Sequence, residues 1–174
     1  MANNDYTTVD KIILDSSNQL EYQKVVINGK KVLGDIRTFV DSQDYTGYTK
    51  KGIQFTLKQL RDLKEITSKL KDIDEKEKSV KIDQINVSDS TTIVIQIQNN
   101  KYTNFKPLID IRTHIDSENF TGFTKKGFRI PPDSLDEFNS KLNNLISEIE
   151  NENNLPSESK EDSSMVSKLK KEMI

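Results

Sequence analysis

The stretch Asp35-Ile36-Arg37-Thr38-Phe39-Val40-Asp41-Ser42-Gln43-Asp44-Tyr45-Thr46-Gly47-Tyr48-Thr49-Lys50-Lys51-Gly52 returns as Asp110-Ile111-Arg112-Thr113-His114-Ile115-Asp116-Ser117-Glu118-Asn119-Phe120-Thr121-Gly122-Phe123-Thr124-Lys125-Lys126-Gly127. The offset is a constant 75 residues without a gap. Twelve of the eighteen paired positions are identical, and five of the other six are close exchanges such as Val40 for Ile115 and Tyr48 for Phe123. An open solenoid needs three or more units to bury a continuous core, so two copies point instead to half-domains that close on each other as a pseudo-dimer.

Working outward from the first copy, Lys11-Ile12-Ile13-Leu14 and Tyr22 to Ile27 are apolar runs rich in β-branched residues, separated by the turn-like Asp15-Ser16-Ser17-Asn18. Asn28-Gly29 favours a tight hairpin turn. Lys31 to Val40 reads as a third strand, with Val32, Ile36 and Val40 on one face and Arg37 and Phe39 on the other. A loop carrying Gly47 leads to a fourth strand from about Tyr48 to Phe55. Thr56-Leu57-Lys58-Gln59 matches a capping box, and Leu57, Leu60, Leu63, Ile66, Leu70 and Ile73 then recur at helical spacing. The second copy keeps the order: strands at Val80 to Val87, Thr92 to Gln98, Leu108 to Ile115 and Phe123 to Ile130, then Pro131-Pro132, a capping box at Ser134-Leu135-Asp136-Glu137, and an apolar stripe from Leu135 to Ile149.

The expected fold class is therefore α+β: two β-β-β-β-α repeats, 11–73 and 80–150, forming an intramolecular pseudo-dimer with curved antiparallel sheets and two packed helices. Residues 1–10 read as an N-terminal extension and 74–79 as a linker. Residues 151–174 read as an acidic, Ser/Asn-rich tail that cannot offset its ordering entropy, ending in a short amphipathic stretch from Met165 to Ile174.

Apolar residues make up 33% of the chain of 174 and charged residues 31%. No apolar run nears the roughly 18 residues of a membrane span, and the first residues lack a signal-peptide pattern, so an intracellular protein is expected, nuclear in a eukaryote and in the cytoplasm or nucleoid of a bacterium or phage. The absence of cysteine excludes disulfides and thiolate chemistry. Net charge is −2, yet Tyr22 to Lys58 carries seven Lys/Arg against three Asp and Thr92 to Arg129 six against three Asp/Glu, while Ser147 to Ile174 has four basic and seven acidic residues. Positive charge travels with the repeats.

Gly47 and Gly52, like Gly122 and Gly127, have the spacing of a phosphate-binding loop, but Ile53 and Phe128 stand where Lys-Ser/Thr would be required, so nucleotide hydrolysis is rejected. Asp35, Asp41, Asp110 and Asp116 invite a metal-dependent nuclease reading; local ion pairs, Asp35 with Arg37 and Asp110 with Arg112, explain these strand residues more simply. The one histidine, His114, stands at the position of Phe39. No catalytic residue, metal or cofactor is expected. What remains is cations interleaved with rings, the requirement of an unpaired nucleic-acid strand, whose phosphates need Lys and Arg and whose bases stack on aromatics. The candidates are Lys30, Lys31, Arg37, Lys50 and Lys51 in the first repeat and Lys101, Lys106, Arg112, Lys125, Lys126 and Arg129 in the second. Phe39, Tyr45, Tyr48, Tyr102, Phe105, Phe120 and Phe123 are the candidate platforms.

At these residues the chain resembles the positive-cofactor-four family of transcriptional coactivators, through Leu108-Ile109-Asp110-Ile111-Arg112 with Lys126-Gly127-Phe128, and through Gly34-Asp35-Ile36-Arg37 with Lys51-Gly52-Ile53. The resemblance runs from about Lys11 to Ile149. It implies a unit that pairs through its helices and binds single-stranded DNA along its sheets, with DNA contacts at Arg37, Arg112, Lys50, Lys51, Lys125 and Lys126. Val40 and Ile115 replace the family's tryptophan, its loop proline is absent, and the acidic segment follows the core here instead of preceding it. Pur-type and Whirly proteins use related units. The resulting expectation is a non-enzymatic single-stranded DNA-binding protein acting in transcription, replication or recombination, with cations of both copies lining one trough. RNA is a second strand type to test, and the alternative is a protein-interaction module that recruits a partner through its tail. No membrane partner is expected, and the pseudo-dimer is expected to be monomeric, with higher assembly left open.

Overall fold

The computed structural model describes residues 3–74 and 76–154. Four antiparallel strands in chain order, β1 (Asn4–Ile13), β2 (Asn18–Ile27), β3 (Lys31–Asp41) and β4 (Thr46–Phe55), are followed by α1 (Leu57–Ser68). The second repeat supplies β5 (Val80–Asn86), β6 (Thr91–Gln98), β7 (Leu108–Asp116), β8 (Thr121–Ile130) and α2 (Leu135–Asn153), again with the sheet in chain order. The fold is the expected α+β duplication. No helix among the described residues is long and apolar enough to cross a membrane.

Alternation along the strands sends one set of side chains toward the helices and the other outward. Leu20, Tyr22, Ile36, Ile53 and Phe55 from the first sheet, and Ile93, Ile95, Ile109, Ile111 and Phe128 from the second, merge with Leu60, Leu63, Phe138, Leu142, Leu145 and Ile149 into one buried cluster. The repeats share this core. β4 lies against β8, α1 against α2, and α2 packs across β1, β2 and β3 of the other repeat. Tyr22 donates its hydroxyl to the Phe138 carbonyl at 3.1 Å, which satisfies the one polar atom of a fully buried ring. Between the helices Thr67 donates to Asn139 at 2.6 Å, Lys64 to Asn143 at 2.6 Å and Arg61 to Glu150 at 2.5 Å. Farther along, Lys24 meets Glu152 at 2.9 Å and Asn144 donates to Asp10 at 3.1 Å. Burial opposes the charge on Asp10, but bonds from Asn144 and the Lys11 amide, with Lys141 nearby, hold its carboxyl below the usual range.

The boundaries of β1, β2, α1 and α2 differ most from the expected ones, β2 opening at Asn18 ahead of Tyr22. β1 begins at Asn4, ahead of Lys11: its first residues are exposed and polar, and they are held as an edge strand by the ladder to β2 and by the Asn3 amide on Asn28 Oδ1 at 2.8 Å. α1 stops at Ser68 although the apolar spacing runs on to Ile73. The Lys69 and Leu70 amides turn back onto Ile66 and Thr67, and Asp72 takes a positive φ, yet Leu70 and Ile73 still pack on the core from chain that is no longer helical. Thr56 and Gln59 form the expected capping box, but Ser134 caps nothing, because Pro132–Ser134 winds as a 3-10 turn leading directly into α2. α2 extends through Asn153, so the tail starts later than 151; the Met165 to Ile174 stretch lies outside the described residues.

Both helices bear on Gly34. A Cβ there would stand 2.8 Å from Leu60 Cδ1 and 3.0 Å from Leu145 Cδ2. Ile109 fills the matching place in the second repeat. Gly34→Ile is expected to overpack this seat and cost roughly 1–3 kcal/mol, read as a lower urea midpoint with an unchanged slope; an unchanged midpoint would show that the helices have room to spare.

Candidate nucleic-acid interface

Each basic pair rides on a bulge. The β3–β4 register breaks between Arg37 and Phe39, so Thr49, Lys50 and Lys51 lie opposite Thr38 alone; β7–β8 breaks the same way between Arg112 and His114. The bulges are locked identically. Thr49 Oγ1 donates to the Thr38 carbonyl at 3.0 Å and accepts the Lys51 amide at 3.1 Å, as Thr124 does with Thr113 at 3.2 Å and Lys126 at 3.1 Å. Arg37 donates to the Thr49 carbonyl at 2.9 Å, and Arg112 to that of Thr124 at 3.1 Å. Beside each arginine the strand must approach closely: a Cβ at Gly52 would stand 2.7 Å from Arg37 Cβ, and one at Gly127 2.6 Å from the Ile111 carbonyl oxygen.

The expected ion pairs are present. Arg37 Nε lies 3.2 Å from Asp35, and Arg112 Nη2 2.9 Å from Asp110, both carboxylates being buried. Burial raises the Asp35 carboxyl above the usual range, and Arg37 pulls it back. These arginines therefore brace the bulges with most of their donors and leave the neighbouring lysines to face outward.

Because β4 and β8 meet where the repeats join, the bulges do not line one trough. They line two clefts related by the internal pseudo-symmetry. One, of about 570 Å³, takes Arg37 and Lys50 from the first repeat with Lys125 and Lys126 from the second. The other, of about 800 Å³, takes Lys51 from the first with Arg112, Lys125, Arg129 and the ring of Tyr102 from the second. Lys125 borders both. Two further grooves lie on the outward sheet faces: one of about 430 Å³ by Arg37 and Tyr48, and one of about 450 Å³ by His114 and Phe123.

Phe39 stands edge-on to Tyr48 at 5.0 Å, and His114 to Phe123 at 4.8 Å, so the lone histidine substitutes for a ring in a repeated aromatic pair. Tyr45 and Phe120 sit at the half-exposed ends of the hairpins. Tyr102 and Phe105, each 73% exposed, project from the β6–β7 connection with Lys106, and Lys101 lies 5.1 Å over the Tyr102 ring. Lys30 and Lys31 are exposed at the β2–β3 turn and line neither cleft. Sequence reasoning missed the outward-facing polar set Thr8, Glu21, Gln23 and Gln54, together with Lys81. Its one signal is the polar residue at every second place of Gln19-Leu20-Glu21-Tyr22-Gln23.

No family model, curated protein or solved structure matches this chain.

Removing one partner of a buried pair strands the other charge. Arg37→Ala is expected to cost on the order of 3 kcal/mol, and Arg37→Ala with Asp35→Ala distinctly less. Arg112→Ala is expected to cost less than Arg37→Ala, since Arg129 stands 3.5 Å from Asp110. Urea unfolding of the variants checks both; a double variant as unstable as the sum of its singles would remove the bracing role.

Proposed function

We propose that the protein binds single-stranded nucleic acid, DNA in the first instance, and carries out no chemistry on it. The observation that carries this reading is the meeting of the basic bulges of both repeats in two clefts, the larger of which also has the exposed rings of Tyr102 and Phe123 in its lining. An unpaired strand offers regularly spaced phosphates and exposed base faces; both clefts supply cations, and the larger supplies rings beside them. The net charge of −2 does not oppose it, because the basic excess gathers on Tyr22 to Lys58 and Thr92 to Arg129, whereas the acidic excess after Ser147 begins on the last turns of α2, where Glu150 and Glu152 pair with Arg61 and Lys24. The resemblance to the positive-cofactor-four family supports the same substrate, and with it a role in transcription, replication or recombination.

Binding of this kind releases counterions. Affinity for oligothymidine is expected to fall with salt at a logarithmic slope of about −0.7 per phosphate neutralised, and to exceed affinity for duplex of equal length. Lys51→Glu with Lys126→Glu removes one lysine from each cleft and is expected to flatten that slope by roughly 0.7 per lysine without lowering the melting temperature. Equal binding of duplex and single strand, or a salt-independent affinity, would contradict the reading.

A further inference from the structure

The two repeats match in backbone and differ on their outward faces. Strand pairing fixes the equivalences: Glu21 lies opposite Arg37 as Val94 lies opposite Arg112, Thr8 opposite Gln23 as Lys81 opposite Gln96, and Gln54 opposite Asp35 as Arg129 opposite Asp110. In the first repeat this face is closed by its own bonds. Tyr48 donates its hydroxyl to Glu21 at 2.7 Å and accepts from Gln23 at 2.6 Å, while Gln23 reaches Thr8 at 3.3 Å. Burial and the Glu21 carboxylate raise the Tyr48 hydroxyl above its ordinary value, so that proton stays in place. At these central positions Lys11 and Arg37 are balanced by Glu21 and Asp35.

The second face has lost that closure. Val94 and Phe123 replace the acid and the phenol, and at the positions matching Thr8, Arg37 and Gln54 stand Lys81, Arg112 and Arg129, with Asp110 opposite Arg129; Asp89 and Asp116 also line the groove. Phe123 borders both the groove on this face and the larger junction cleft, and Tyr102 stands in that cleft. The Tyr102 loop has no counterpart in the first repeat, where Asn28-Gly29 makes a tight turn. It is pinned at its base by Asn100, which accepts the Tyr102 amide at 2.9 Å, and by buried Thr103, and it holds Phe105 at a φ of 57°, a costly conformation for an aromatic residue.

We infer that the second repeat is the base-binding half of the molecule, in which an unpaired strand runs from the Lys81 and Phe123 groove to the Tyr102 ring, while the outward face of the first repeat, its central charges balanced and its ring tied to Glu21 and Gln23, binds no base. This rests on the single-strand reading above. A face whose central charges cancel offers no net attraction to the phosphates flanking a stacked base, whereas the face that has exchanged the acid for Val94 leaves its central cations without that acid's compensation.

Exchange of the differing residues tests it, with oligothymidine anisotropy at low salt as readout and thermal melting as the check on folding. Tyr102→Ala and Phe123→Ala, both at exposed rings, are expected to weaken binding at least roughly fivefold each, and Tyr48→Ala to leave it unchanged. Glu21→Val with Tyr48→Phe, which copies the second face onto the first, is expected to raise the number of short oligonucleotides bound per chain. Equal losses from Tyr48→Ala and Phe123→Ala would overturn the inference and leave the single-strand reading standing. Unaltered affinity in Tyr102→Ala would also overturn it and assign that loop to a protein partner. If the unaltered chain binds no oligonucleotide, both readings fail together.

Discussion

Neither repeat can bury its own sheet, and everything else follows from that constraint. A four-stranded sheet with one apolar face needs a cover, and α1, at 12 residues, is short for the task. The 19 residues of α2 lie across the first sheet, so the longer helix of one repeat covers the strands of the other. Gly34 is where this exchange is tightest, because both helices rest on a position that has no side chain to hold them off. α1 touches β5 of the second sheet as well as β3 and β4 of its own, and Leu70 and Ile73 pack on the shared core from the chain beyond its end, so one apolar spacing serves first as helix and then as a strap.

Closing the core this way presses β4 against β8, and those strands carry the bulges. Thr49 and Thr124 bond the extra residues to the facing strand, the arginines hold the carbonyls, and Gly52 and Gly127 let the strands approach. Four lysines are thereby fixed at the join of the repeats by interactions that belong to folding and not to any ligand. Duplication with a shared core is an economical way to build a site from two sources, since each cleft draws residues from both copies.

Much of this was legible in the sequence because repetition carries its own control. The order of strands and helix, the Thr56 cap and the pairing of Asp35 with Arg37 all follow from spacing and side-chain chemistry, and the element order and the ion pair each have a second copy to compare. The start of β1 was not legible, since Asn4 to Thr8 is an edge segment exposed to solvent and shows no apolar alternation; only its partner strand makes it a strand. The end of α1 was hidden for the opposite reason, as Leu70 and Ile73 keep a helical spacing that serves packing without a helix. A single trough was expected because the two stretches are alike, whereas two like stretches related by a rotation produce two clefts. The closure of the first outward face depends on Glu21, Gln23 and Tyr48 meeting across three strands, a proximity that no local pattern announces.

The central claim is that the repeats close within one chain, with α2 crossing α1 inside the monomer. The natural absence of cysteine makes this directly testable. Thr67 and Asn139, whose side chains bond at 2.6 Å across the two helices, can each be replaced by cysteine and oxidised in dilute solution. The account predicts a disulfide within single chains, with the monomer mass retained and faster migration on a denaturing gel that reverts on reduction. Covalent dimers as the main product, or two thiols that stay free under oxidation, would contradict it.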